Sequence, residues 1–216
     1  MGKGKRTRPS PPPSKLSRRS AFREPKLALV VFCEGGNTEP AYLADLVGEY
    51  GNSLVAIRTV AAAGVPATLV SKALELKKQR RGRQDRLAQN DQIWVVFDCD
   101  DHVHVKTSIH NAEQNEIYVA YSNPCFELWA YLHLDDFDAP IHRDDLYKLL
   151  VRRMPSYDPS KAKRLDYALL RGLAEAAEKR AERMCARRKE ERADRGNPYT
   201  DVFRLVRLIR DNGRIK

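Results

Sequence analysis

The stretch "DQIWVVFDCDDHVHV", residues 91–105, decides how the rest of the chain reads. Its apolar run, Ile93 to Phe97, is too short for a helix and rich in β-branched and aromatic residues. Runs of this kind form strands buried on both faces, as in parallel sheets. The run stops at Asp98, and Asp100 and Asp101 follow, then His102 and His104. Two readings of this exit stand: an ordinary passage from strand to loop, or a metal site.

Three further segments share the strand pattern: "KLALVVFCE" (26–34), "SLVAIRTV" (53–60) and "NEIYVAYS" (115–122). Helical patterns alternate with them. "TEPAYLADLVGEYG" is amphipathic and ends at Gly51, and "VPATLVSKALELKKQRRG" has Pro66 in its first turn. "HVKTSIHNAEQ" is a weaker helix, and "NPCFELWAYLH" offers Asn123 as N-cap with Pro124 at the first helical position. This alternation predicts an α/β fold, a mostly parallel sheet with helices on both faces. After Asp135 the pattern becomes helical: "RDDLYKLLVRRM", a long helical run over 161–195, and a last helix in "NPYTDVFRLVRLIRD". The expected organisation is a disordered basic Pro/Ser-rich tail over 1–25, an α/β core over 26–135, and a helical C-terminal extension over 136–216 packed on the core.

Bulk properties narrow the function. The chain has 216 residues, 42% of them hydrophobic and 31% charged, enough for a core under a polar surface. The apolar run "LALVVFC" is far below the ~20 residues that a membrane helix needs, so a cytoplasmic protein without a membrane partner is expected. None of the four cysteines forms a CxxC pair, which points to free thiols. The net charge is +10, but residues 1–26 hold nine Lys/Arg against Glu24 alone, so the excess is mostly a property of the tail. Such a tail binds phosphate backbones without sequence preference or is simply solvated. The run "KKQRRGRQDR" (77–86) closes a helix at the edge opposite the aspartates, where cations complement the helix dipole.

In a parallel sheet, ligands bind beyond the carboxyl ends of the strands. Glu34 ends the first strand, Asp98 the third, and Glu127 follows the fourth. In extended chain Asp98 and Asp100 point the same way. Two carboxylates aimed at one spot repel unless a cation lies between them. Hard oxygen donors of this kind suit Mg²⁺ or Mn²⁺, with Glu34, Asp98, Asp100, Asp101 and Glu39 as candidate ligands. Gly35 and Gly36 would let a phosphate approach the backbone, and Thr38 opens a helix whose N-terminus favours anions. The plainer readings remain beside these. Glu39 and Glu127 fall in first helical turns, where any carboxylate complements the dipole, and the glycines make a tight turn. His102 and His104 could join Asp98 around zinc or manganese, but no Cys/His cluster completes a structural zinc site. His133 shares a helix face with Phe126, Trp129 and Ala130, as a core histidine would. Ser122 lacks a nucleophile elbow, and no phosphate-binding GxxxxGK[ST] loop is present.

An acidic residue and glycine after the first strand, with DxD after a later one, resemble the Toprim domain. More closely, "CEGGNTEPAYL", "FDCDDH" and "SNPCFELWAYLH" resemble the signature segments of the RloB-like family, which is linked to phage-defence and restriction loci. "YDPSKAKRLDYAL" and "NPYTDVFRLVRLI" fit the same family's ending. The Glu34-to-Glu39 spacing is also similar to the EGxTE segment of OLD-type nucleases, with one residue inserted. The resemblance implies a Toprim-like fold with Glu34, Asp98 and Asp100 as its acidic triad, the glutamate in acid/base or metal duty and the DxD pair holding Mg²⁺. It also places Glu127 in a family segment, as a fourth candidate catalytic residue. The implied activity is a Mg²⁺-dependent nuclease acting on DNA or RNA phosphodiesters, in defence against phage. Two alternatives stay open. One is Toprim-type nucleotidyl transfer. The other is a non-catalytic component that binds nucleic acid or a defence-system protein partner.

Overall fold

In a computed structural model, residues 27–50, 55–61, 65–82, 91–99 and 104–213 are described. The expected tail over 1–25 lies outside them, as do Asp100, Asp101 and His102. The apolar runs become strands β1 (Leu27–Cys33), β2 (Val55–Ala61), β3 (Gln92–Asp98) and β4 (Tyr118–Asn123). Between them lie helices α1 (Thr38–Tyr50), α2 (Pro66–Gly82) and α3 (Val105–Gln114). Helices α4 (Glu127–Leu134), α5 (Arg143–Arg153), α6 (Tyr167–Leu170) and α7 (Ala174–Glu190) follow, then β5 (Tyr199–Thr200) and α8 (Phe203–Gly213).

The strands form one sheet in the order β2-β1-β3-β4-β5. All neighbours are parallel except β5, which runs antiparallel to β4. The α/β class expected from the alternating pattern is therefore observed. This order places a switch point between β1 and β3, because the chain leaves β1 toward β2 on one side and returns to pair β3 on the other. The connections after β1 and β3 diverge there and leave a crevice at the carboxyl ends of these two strands.

Period-two alternation assigns each strand residue to one face. Leu29, Val31 and Cys33, with Trp94 and Val96, pack beneath α1, α4 and α8. Val30 and Phe32, with Ile93, Val95 and Phe97, pack beneath α2 and α3. Helix α4 is buried from Glu127 to His133, as expected of a helix that is apolar nearly all round. It lies between the sheet and α5 and α7. Leu146 and Leu150 of α5, Ala177 and Ala181 of α7, and Leu205, Val206 and Ile209 of α8 belong to the same apolar cluster as β1. No helix among the described residues is long and apolar enough to cross a membrane.

Two local expectations change. Asn123 does not cap a helix: it is the last residue of β4, paired with Tyr199, and its amide donates to the Arg195 carbonyl. The Asn123–Pro124 peptide is cis, and α4 starts three residues later, at Glu127. The long helix expected over 161–195 is divided. An Asp158 side chain accepts from the Ser160 amide and holds a turn, and Gly172 at φ +74° separates α6 from α7. Glycine tolerates that left-handed geometry and so ends the first helix without penalty. The described part of the basic run lies at the amino edge, as expected. Lys77 pairs with Glu116 and Arg80 with Asp91, the residue preceding β3.

Because one core spans both halves, Leu205→Ala should lower the urea midpoint of a single transition seen through Trp94 and Trp129. The expected cost is about 2–5 kcal/mol, with no separate unfolding of the C-terminal helices.

Candidate active site

The crevice is built first by the β1–β3 ladder. Cys33 pairs with Val96, which brings the next residue, Glu34, level with the end of β3. The Glu34 amide donates to the Val96 carbonyl at 3.0 Å. Its side chain then reaches across, and Oε2 accepts from the Asp98 amide at 3.2 Å. Two residues more than sixty positions apart in sequence thus share one sheet edge, as their strand exits predict.

Glu39 and Glu127 enter from the first turns of α1 and α4, and both are buried. The Glu39 carboxylate folds back on the turn before its helix and accepts a backbone hydrogen bond from Gly35. A Cβ at Gly35 would stand 2.3 Å from Glu39 Oε2, so only glycine leaves room for this packing. Gly35 therefore serves an anion, but the anion present is the protein's own carboxylate. Gly36 is exposed, with no atom within 4 Å of where a Cβ would be. Thr38, expected to meet phosphate, is buried and donates its hydroxyl to the Lys163 carbonyl at 3.0 Å. Glu127 Oε1 accepts from the Tyr157 hydroxyl at 2.8 Å.

These carboxylates act on one another. Burial, reinforced by Glu127 and Glu34, raises Glu39 from an ordinary value of 4.5 to about 7. Burial, with Glu39 and Glu127 nearby, raises Asp98 well above its usual range, and Arg143 offsets part of the effect. Arg143 Nη2, from the first turn of α5, lies 3.8 Å from Asp98 Oδ2 and 3.4 Å from the Pro124 carbonyl. Asp98 Oδ1 is buried with no hydrogen-bond partner. Unsatisfied buried oxygens are rare and costly, and this one belongs to a carboxyl on which Glu39 and Glu127 also act.

That donor chemistry fits a hard divalent cation such as Mg²⁺ or Mn²⁺. Among the described residues, no three His, Cys, Asp or Glu side chains form a ready cage for one. The fit rests on charge and on the orphaned Asp98 oxygen. Asp100 and Asp101 fall outside the described residues. His133 is a core residue: its Nδ1 donates to the Trp129 carbonyl at 2.9 Å, and Nε2 accepts from the Tyr42 hydroxyl at 3.3 Å. Burial lowers its pKa to about 4, so it is neutral near pH 7. The cysteines are free thiols.

The sequence reading did not identify Arg143, Tyr157 or Lys163 as site residues. Tyr157 and Lys163 sit on the segment that follows α5. Lys163 donates from Nζ to the Tyr147 hydroxyl at 3.1 Å and lies over that ring. With the Thr38–Lys163 and Tyr157–Glu127 bonds, this segment is fastened across the carboxylates.

A family model described as RloB-like protein matches residues 29–209. The chain belongs to the RloB-like family. No curated protein and no solved structure matches it. The matched span runs from β1 into α8, so the RloB-like unit includes the C-terminal helices as well as the carboxylate edge. Glu34, Glu39, Asp98, Glu127, Arg143 and Tyr157 all lie within it.

The raised Glu39 pKa has a definite sign in stability. The folded chain holds this proton more tightly than the unfolded chain does, so stability is full below pH 4.5 and falls as pH rises through about 7. In chelator, the melting temperature of the RloB-like chain should drop between pH 5 and pH 8, by roughly 1–3 kcal/mol of stability. Glu39→Gln should flatten that drop, and Gly35→Ala, by displacing the carboxylate, should flatten it too.

Proposed function

We propose that this RloB-like chain is a Toprim-type, Mg²⁺- or Mn²⁺-dependent phosphodiester hydrolase acting on DNA or RNA. The observation that carries the reading is the convergence of Glu34, Glu39, Asp98 and Glu127 on the crevice at the sheet's switch point, with Asp98 Oδ1 left without a partner. Structural ion pairs do not gather four carboxylates around one cation-poor crevice. Metal-dependent phosphoryl chemistry does, because the transferred group is itself anionic and needs positive charge to approach carboxylates.

Asp98 and Glu34 would hold the ion, and Asp100, outside the described residues, is the further ligand that the sequence spacing offers. A divalent cation bound there would neutralise the carboxylates and the developing charge on a phosphodiester. The chain's own groups divide the remaining work. Glu34 is positioned for acid/base duty by the hydrogen bond its Oε2 accepts from the Asp98 amide. Arg143, with its side chain 31% exposed, presents a guanidinium at the crevice that can pair with a non-bridging phosphate oxygen. Tyr157 fixes the orientation of Glu127. A role in defence against phage, with a defence-system protein partner, follows from the family resemblance.

Hydrolysis of single- and double-stranded DNA and RNA, assayed with Mg²⁺ and with Mn²⁺, tests the reading. Asp98→Asn and Glu34→Gln should each lower the rate by roughly 10²–10³-fold. Arg143→Ala should lower it by roughly 10–10²-fold without removing metal binding. Cleavage that survives in both carboxylate variants would sink the assignment. Nucleotide incorporation in place of cleavage would move the chain to nucleotidyl transfer. A chain inert in both assays, whose biological effect depends on residues 1–25, would be a binding component.

A further inference from the structure

The edge that carries the carboxylates has a second hollow, on the other face of β3. Asp98 faces the α1–α4 side. Cys99, one residue on, lines a cleft of about 810 Å³ between the ends of β3 and β4, the start of α3 and the loop that leaves α7. That size suits a small ligand or one unit of a polymer.

The polar lining of the cleft is mixed in charge, with Lys106, Arg192 and Arg195 outnumbering Glu113 and Asp194. Lys106 comes from the first turn of α3, and Arg192 and Arg195 come from the loop before β5. Lys106 and Arg192 form no ion pair among the described residues, whereas Arg195 pairs with Glu113 at 2.7 Å. Arg195 Nε is nevertheless buried without an acceptor. Helix α3 adds its own positive end, because His104 at its N-cap gives no side-chain cap to the first-turn amides. Arg192 and Arg195 are both held at φ +56°, a left-handed geometry that non-glycine residues adopt only at a cost. The Asn123 amide anchors this loop by donating to the Arg195 carbonyl at 3.1 Å, which ties it to the strand end that leads to Glu127. Val105, Ile109 and Tyr121 supply an apolar wall beside the cations.

An anion alone would not need that wall, and an apolar ligand would not need Lys106 and Arg192, which pair with no carboxylate among the described residues, beside an uncapped helix. A nucleotide has use for both, its phosphate on the cations and its base against the wall. We propose that this cleft holds a nucleotide flanking the scissile one, with its phosphate on Lys106 and Arg192, so that a strand crosses the end of β3 between the two hollows. The assignment of a nucleic-acid strand rests on the phosphodiester reading above.

Cys99 provides a local reporter, distinct from any binding at the basic N-terminal residues. The full chain is treated with iodoacetamide in chelator, with and without a short single-stranded oligonucleotide, and alkylation of each cysteine is followed by mass spectrometry. Oligonucleotide should slow modification of Cys99 and leave Cys185 unchanged. In Lys106→Ala/Arg192→Ala, both exposed positions, the concentration needed for protection should rise by about tenfold or more. Protection should persist in Glu34→Gln. Oligonucleotide binding without Cys99 protection, or protection equal in the double variant, overturns the proposal. Equal protection by inorganic phosphate overturns the strand assignment and leaves an anion site. Protection in a chain that cleaves nothing overturns the nuclease reading and leaves the cleft. Cleavage without protection does the reverse.

Discussion

The parallel pairing of β1 with β3 is the constraint on which the site depends. It sets Cys33 beside Val96, and so puts the Glu34 side chain within reach of the Asp98 amide. A slip of one residue in that ladder would turn every β1 side chain to the other face, exchange Leu29 and Val31 for Val30 and Phe32, and carry Glu34 away from Asp98. The two apolar clusters on opposite faces of the sheet hold the register. Core packing and site geometry are in this sense one property: the hydrophobic alternation that folds the sheet also fixes where its carboxylates end.

What that geometry assembles is unfavourable by itself. Four carboxylates share a crevice in which burial penalises the charged forms of Glu39 and Asp98, and Arg143 offsets only part of the effect at Asp98. The structure accommodates one of them, Glu39, by leaving Gly35 without a side chain and giving its backbone to that carboxylate. Local conflicts of this kind are expected where function rather than stability selects the residues. A cation would relieve the conflict at the position where Asp98 Oδ1 lacks a partner.

Much of this was legible in the sequence because the signals are local. Continuous apolar runs marked the four parallel strands, and their acidic exits marked the edge. The burial of His133 also followed from its helix face. Other features depend on tertiary partners. Asn123-Pro124 carries the signature of a helix start, yet the β4–β5 ladder claims Asn123 as a strand residue. The two-residue β5 is too short to leave a periodic pattern. Gly172 divides a segment whose charges read as one helix. Thr38 had the right position for an anion, but its hydroxyl is taken by a carbonyl 125 residues away. Arg143 and Tyr157 reach the crevice only because α5 and the segment after it dock over α4. The segment "YDPSKAKRLDYAL" contains Tyr157, although nothing in its local pattern ties that residue to Glu127.

The C-terminal helices are therefore part of the site, not an accessory to it. They close the core over α4, carry Arg143 to Asp98 and fasten Tyr157 to Glu127. We propose the carboxylate crevice as a cation seat. The most direct measurement is anomalous diffraction from crystals grown with Mn²⁺. A peak is expected in the crevice with an Asp98 oxygen and a Glu34 oxygen in its coordination sphere, at about 2.0–2.3 Å as for hard cations of this size. A crevice without a peak in crystals that hold Mn²⁺ elsewhere, or with Arg143 alone occupying that position, would contradict it.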